Sequence, residues 1–120
     1  MTVTSREMIL AERLRQISVE GWTHAHDDEH TASSLEQAGF AYLYLTHAIE
    51  APPQTNMVLW PFHPKWWKPS PSPIRNLVKA GALFLAESER YKRAAMLDEA
   101  ERLETMAANV AAEMDEIRGL

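Results

Sequence analysis

The chain has 120 residues, 46% hydrophobic and 24% charged, with no cysteine and a formal net charge of -5. That composition fits one globular domain, and excludes a disulfide framework, a cysteine-bound zinc, a fibrous chain and a surface that coats nucleic acid. No apolar run approaches the roughly 20 residues that span a bilayer, and the N-terminal residues lack the basic-then-apolar order of a secretory signal, so a cytoplasmic location is expected.

In chain order, the first helix is expected from about Thr4 to Glu20. Leu10, Leu14 and Ile17 recur at spacings of four and three and would face the core. Glu7 and Glu12 suit the early turns, and Gly21 is a natural stop. Residues 21–32 then form a polar loop or a short helical turn. The second helix starts at Ser34, where Ser34-Leu-Glu-Gln37 fits a capping box. Leu35, Ala38, Tyr42, Leu45 and Ile49 share one face, and Pro52 and Pro53 end the helix.

Residues 51–72 are expected to form a rigid, ordered loop. All seven prolines fall between Pro52 and Pro73, with three of the four tryptophans, Trp60, Trp66 and Trp67. Proline fixes φ, and large aromatic rings seek burial or stacking. Two adjacent tryptophans cannot both enter one core, so one of Trp66 and Trp67 is free for a ligand or a partner. Ser72-Pro73 opens the third helix, with Ile74, Leu77, Val78, Gly81 and Leu85 inward. No proline or glycine follows from Ala82 to Arg118, so this helix either continues or bends near Ala94–Leu97. Met96, Ala100, Leu103, Ala107, Val110, Met114 and Ile117 make an a/d seam. The seam suits an intramolecular bundle or a pairing of subunits, and pairing is expected. The fold class is all-α: a small helical bundle with a long Pro/Trp-rich loop and a long C-terminal helix. It divides into a core over 1–93 and an oligomerisation helix over 94–120.

The charge is unevenly distributed. Residues 1–50 are net -5, residues 51–85 are net +4 with no acid, and residues 86–120 are net -4. Two constellations stand out against that pattern. His24-Ala-His26-Asp27-Asp28-Glu29-His30 packs three imidazoles and three carboxylates together. His26, Asp27, Asp28 and His30 are candidate ligands for a divalent metal; helix capping or direct ligand contact are the alternatives. Trp60-Pro-Phe-His-Pro-Lys-Trp66-Trp67-Lys68 interleaves aromatics with cations, which suits stacking on a base and holding a phosphate. Arg75 and Lys79 follow at spacing four in the first turns of the third helix. His47 and His63 are isolated and read as surface or packing residues.

Glu12-Arg13-x-Arg15-Gln16-Ile17, Glu20-Gly21-Trp22-Thr23, His26-Asp27-Asp28-x-His30, Trp60-Pro61, Trp66-Trp67-Lys68-Pro69 and Arg75-x-Leu77-Val78-Lys79-Ala80-Gly81-Ala82-Leu83 together resemble a family of small phage and prophage proteins. The likeness covers residues 11–93 and implies a protein made in a bacterial cytoplasm. More remotely, the chain is similar to the all-α MazG-type nucleotide pyrophosphatases. It lacks their paired acidic metal site, since the second helix carries Glu36 alone.

The expected function is an oligomeric binder of a nucleotide or nucleotide-derived signal, sequestering it in the manner of an anti-defence sponge. Trp22, Trp66 and Trp67 would stack; Lys68, Arg75 and Lys79 would take phosphates; His26, Asp28 and His30 would contact base or ribose. The alternatives are a metal-dependent nucleotide pyrophosphohydrolase and a protein that binds and inhibits a host factor.

Overall fold

A computed structural model describes residues 2–30, 33–44, 51–54 and 59–120. The expected all-α fold is present. Five α-helices run in the order α1 Ser5–Ser18, α2 His24–Asp28, α3 Ser34–Leu43, α4 Pro73–Arg93 and α5 Leu97–Arg118, with one 3-10 turn at Pro64–Trp66. Among the described residues there is no strand, only an isolated antiparallel bridge between Gln54 and Leu59.

α4 is the centre, and α1, α2, α3 and α5 all pack on it. Its start is as expected: the Ser72 hydroxyl accepts from the Arg75 N–H, and Pro73 occupies the first turn, where its missing N–H costs nothing. Two close approaches seat its neighbours. A Cβ on Gly39 would come within 2.6 Å of the Phe84 ring, and one on Gly81 within 2.7 Å of Ile9 Cδ1. Glycine thus lets α3 and α1 lie directly against α4.

Of the two readings for the end of the third helix, the chain takes the break. α4 stops at Arg93, Ala95 adopts a φ of 58°, and the Met96 N–H returns to the Tyr91 carbonyl at 2.8 Å. α5 then folds back along α4 in the most extensive helix–helix interface. Ala100, Leu103, Ala107, Val110 and Met114 are buried there within the one chain, while Met96 and Ile117 are exposed. The middle of the seam is therefore taken up internally, and subunit pairing through those five side chains has no free surface.

Two expectations need correction. Leu10 and Leu14 do not face the core but are 44% and 66% exposed; the buried face of α1 is Ser5, Ile9, Glu12, Arg13 and Gln16. The charged members can be buried because each meets a partner: Glu12 meets Arg15 and Arg75, and Arg13 meets Asp27 and Glu89. Ser34 does not cap α3. Ser33, at φ 60°, occupies the cap position without a side-chain cap bond. Instead the buried Glu87 carboxylate of α4 accepts from the Glu36 N–H at 2.9 Å. Finally, Leu45 and Ile49, expected on the inner face of the second helix, and His47 lie outside the described residues.

Candidate functional site

The turn after α1 brings the His/Asp segment onto the Trp/Pro segment. Gly21, at φ 75°, reverses the chain, and the Trp22 N–H returns to the Gln16 carbonyl at 2.9 Å. The Thr23 hydroxyl then caps α2 by accepting from the His26 N–H. One helical turn aligns His26 with His30, ring centroids 4.8 Å apart, and Trp22 lies parallel to His26 within 5°.

The opposing wall is built on a buried aromatic cluster. Trp60 and Trp67 are 3% and 7% exposed and pack on each other and on Tyr42. The Tyr42 hydroxyl accepts from the Lys68 N–H at 3.1 Å, and burial pushes that hydroxyl's pKa up to about 12. The Trp60 indole donates to the His63 carbonyl. With Trp67 inward, the 3-10 turn leaves Trp66 outward and 41% exposed, with the Lys65 and Lys68 ammonium groups over its ring.

Between these walls lies a cleft of about 300 Å³, lined by Glu20, Trp22, His26, His30, Leu35, Phe62, His63 and Trp66. His30 stands edge-on to Phe62 at 5.1 Å, and burial, followed by the neighbouring His26, holds its imidazole below the ordinary histidine value. Glu20, Trp22 and Trp66 also line an adjoining polar corner with Glu12, Arg15, Gln16, Lys68 and Lys79. Three cations face two carboxylates there. Burial tends to raise the Glu12 carboxyl, but its hydrogen bond from Arg15 and the charge of Arg75 outweigh that and hold it low. Lys79 is held below its usual value by burial and then by the charge of Arg75. Gln16 is 2% exposed, and its side-chain oxygen has no partner among the described residues.

Of the residues expected at a ligand, Trp22, His26, His30 and Trp66 line the cleft, and Lys68 and Lys79 line the corner. Trp67, Arg75 and Asp28 are placed elsewhere. Trp67 belongs to the core, the Arg75 guanidinium is spent on Glu12, and Asp28 is turned outward onto Arg93 at 2.7 Å. That contact holds the Asp28 carboxyl below its usual range.

The four candidate metal ligands are not gathered. Asp27 is fully buried on Arg13 at 2.6 Å, Asp28 faces Arg93, and only the two histidines reach the cleft. Among the described residues no group of three or more His, Asp or Glu side chains is placed to hold a metal ion. Sequence reasoning missed Glu20, Leu35, Phe62 and His63 in the lining. Phe62 and His63 sit inside the singled-out Trp60–Lys68 run and were findable from it. Glu20 and Leu35 carry no signal before the chain is folded.

Among the described residues no helix is long and apolar enough to cross a membrane. No protein-family model, curated protein or solved structure matches the chain.

Proposed function

We propose that the chain binds a nucleotide or nucleotide-derived ligand in this cleft and holds it without turning it over. The observation that carries the reading is a cleft and an adjoining corner that share Glu20, Trp22 and Trp66 and differ in chemistry. Trp22, Trp66 and Phe62 offer faces and edges to a planar ring, and the adjoining corner offers the Lys68 and Lys79 ammonium groups to an anion, while Arg15 there is paired with Glu12 and Glu20. Base-on-aromatic stacking contributes about 1–3 kcal/mol per base. A volume of about 300 Å³ suits a ring system with part of its substituent. The Gln16 side-chain oxygen, without a partner among the described residues, lies beside the corner. Arg75 and Asp28 act at one remove: Arg75 neutralises Glu12, and Asp28 ties α2 to α4 through Arg93.

Holding is favoured over hydrolysis because the carboxylates of α2 are already bound to arginines. The resemblance to phage and prophage proteins supplies the proposed setting, a bacterial cell in which a small binder sequesters a nucleotide signal. If the binder is an oligomer, it pairs through surfaces other than the middle of the α5 seam.

Calorimetry with cyclic nucleotides and ADP-ribose derivatives tests the reading. Saturable binding is expected for at least one, lost in Trp22→Ala and weakened in Lys79→Ala, with the ligand recovered intact. A folded protein that binds none of them contradicts the proposal. Recovery of a hydrolysed ligand would favour a phosphohydrolase instead.

A further inference from the structure

Among the described residues the His26 ring makes one hydrogen bond. Its Nδ1 lies 3.1 Å from Asp27 Oδ1. Asp27 is fully buried, and its other oxygen accepts from Arg13 Nη2 at 2.6 Å. Arg13 is itself 3% exposed and donates through Nε to Glu89 at 3.0 Å. A carboxylate can only accept, so Nδ1 is the donor; in a neutral imidazole Nε2 is then the acceptor. Nε2 lies on the ring edge away from Asp27, has no hydrogen-bond partner among the described residues, and belongs to a side chain that lines the cleft. Turning the ring over would forfeit the Asp27 bond.

We infer that the buried Arg13–Asp27 pair sets the tautomer of His26, so that Nε2 enters the cleft as a fixed acceptor. The cleft thereby selects an aromatic ring that carries an N–H donor, such as an aminated nucleobase, over one that lacks it. This rests on the nucleotide reading of the cleft. Arg13 and Asp27 are positioning residues, and His26 makes the contact. The chemistry explains why a carboxylate is buried beneath a histidine on a five-residue helix: a neutral side chain there would leave the imidazole free to present either nitrogen.

The test has two parts on the full chain. Nitrogen-15 NMR of the imidazoles reads the tautomer directly, and the His26 proton is expected on Nδ1. Calorimetry then compares ADP with its analogue lacking the 6-amino group, and ADP is expected to bind roughly tenfold tighter. His26→Phe keeps a ring beside Trp22 and is expected to level the two affinities. In Asp27→Asn the amide oxygen takes the Arg13 bond and the amide nitrogen faces Nδ1, so the proton moves to Nε2 and the preference is lost or reversed. If that buried variant does not fold, His26→Phe still decides. A proton on Nε2 in the unaltered chain, or equal affinities for the two ligands, overturns the inference and leaves the nucleotide reading standing. Binding of neither ligand overturns the inference, and the nucleotide reading falls with it if the cyclic nucleotides and ADP-ribose derivatives also fail to bind.

Discussion

Trp66 and Trp67 are adjacent in sequence and opposite in surroundings. Trp67 is sealed against Tyr42 and Trp60, while Trp66 borders the cleft under two lysines. Their alanine variants should therefore fail in different ways. Trp67→Ala empties a core position and is expected to cost about 3–5 kcal/mol of stability. Trp66→Ala is expected to change stability by less than about 1 kcal/mol and to weaken ligand binding by about 1–3 kcal/mol. Urea unfolding and calorimetry on both variants check this, and equal losses of stability would contradict the assignment. At the same scale, His30 and Glu12 set the response to acid. The His30 imidazole is held below its ordinary 6.5 by burial and by His26. The unfolded chain therefore takes up that proton first. The stability His30 contributes is complete above about 6.5 and is lost as pH falls from there through the lower folded value. Glu12, held below its ordinary 4.5, adds a second loss at lower pH as its folded value is crossed. The urea midpoint should fall on acidification, and His30→Gln should remove the upper window while leaving the lower. A midpoint that rises as pH falls from about 6.5 to about 5 would contradict the His30 sign, and one that rises as pH falls below about 4.5 would contradict the Glu12 sign.

At the scale of elements, the helices were legible where apolar spacing or capping chemistry is local. Ser72-Pro73 opens α4, Gly21 turns the chain after α1, and Leu35, Ala38 and Tyr42 face inward on α3, all as their spacing and residue types indicate. α1 was misread because periodicity counts only apolar residues. Its inward face is largely polar, and the partners that make Glu12 and Arg13 tolerable, Arg75, Asp27 and Glu89, come from distant parts of the chain. The cap of α3 was misread for the same reason, since it lies 51 residues away in Glu87. Glu87 also accepts from Arg90 Nε at 2.6 Å, with both side chains buried. Removing it strands a buried guanidinium and an N–H together. Glu87→Leu is thus expected to cost about 3–5 kcal/mol, as for a broken buried pair; a loss under about 1 kcal/mol in urea unfolding would place the pair among ordinary surface bridges.

At the scale of the molecule, α4 organises two kinds of packing. On one side it takes up the α5 seam and makes an apolar interface. On the other it gathers charged groups, with Glu89 meeting α1, Arg93 meeting α2 and Glu87 meeting α3. The charged side holds α2 in place, and the Trp60–Trp67 cluster holds the opposite wall, so the cleft is framed by elements fixed independently of a ligand. The site was partly legible in the sequence because both walls are compact runs, His24–His30 and Trp60–Lys68. Which members turn inward was not legible, because burial of Trp67 and Asp27 depends on Tyr42 and Arg13.

The most direct measurement follows the four tryptophan indole signals in a proton–nitrogen NMR spectrum during titration with ADP. The Trp22 and Trp66 signals should move in a saturable way, while Trp60 and Trp67, buried behind the wall, stay in place. Saturation without movement of Trp22 and Trp66, or no change in any signal from the folded protein, would contradict a nucleotide site in this cleft.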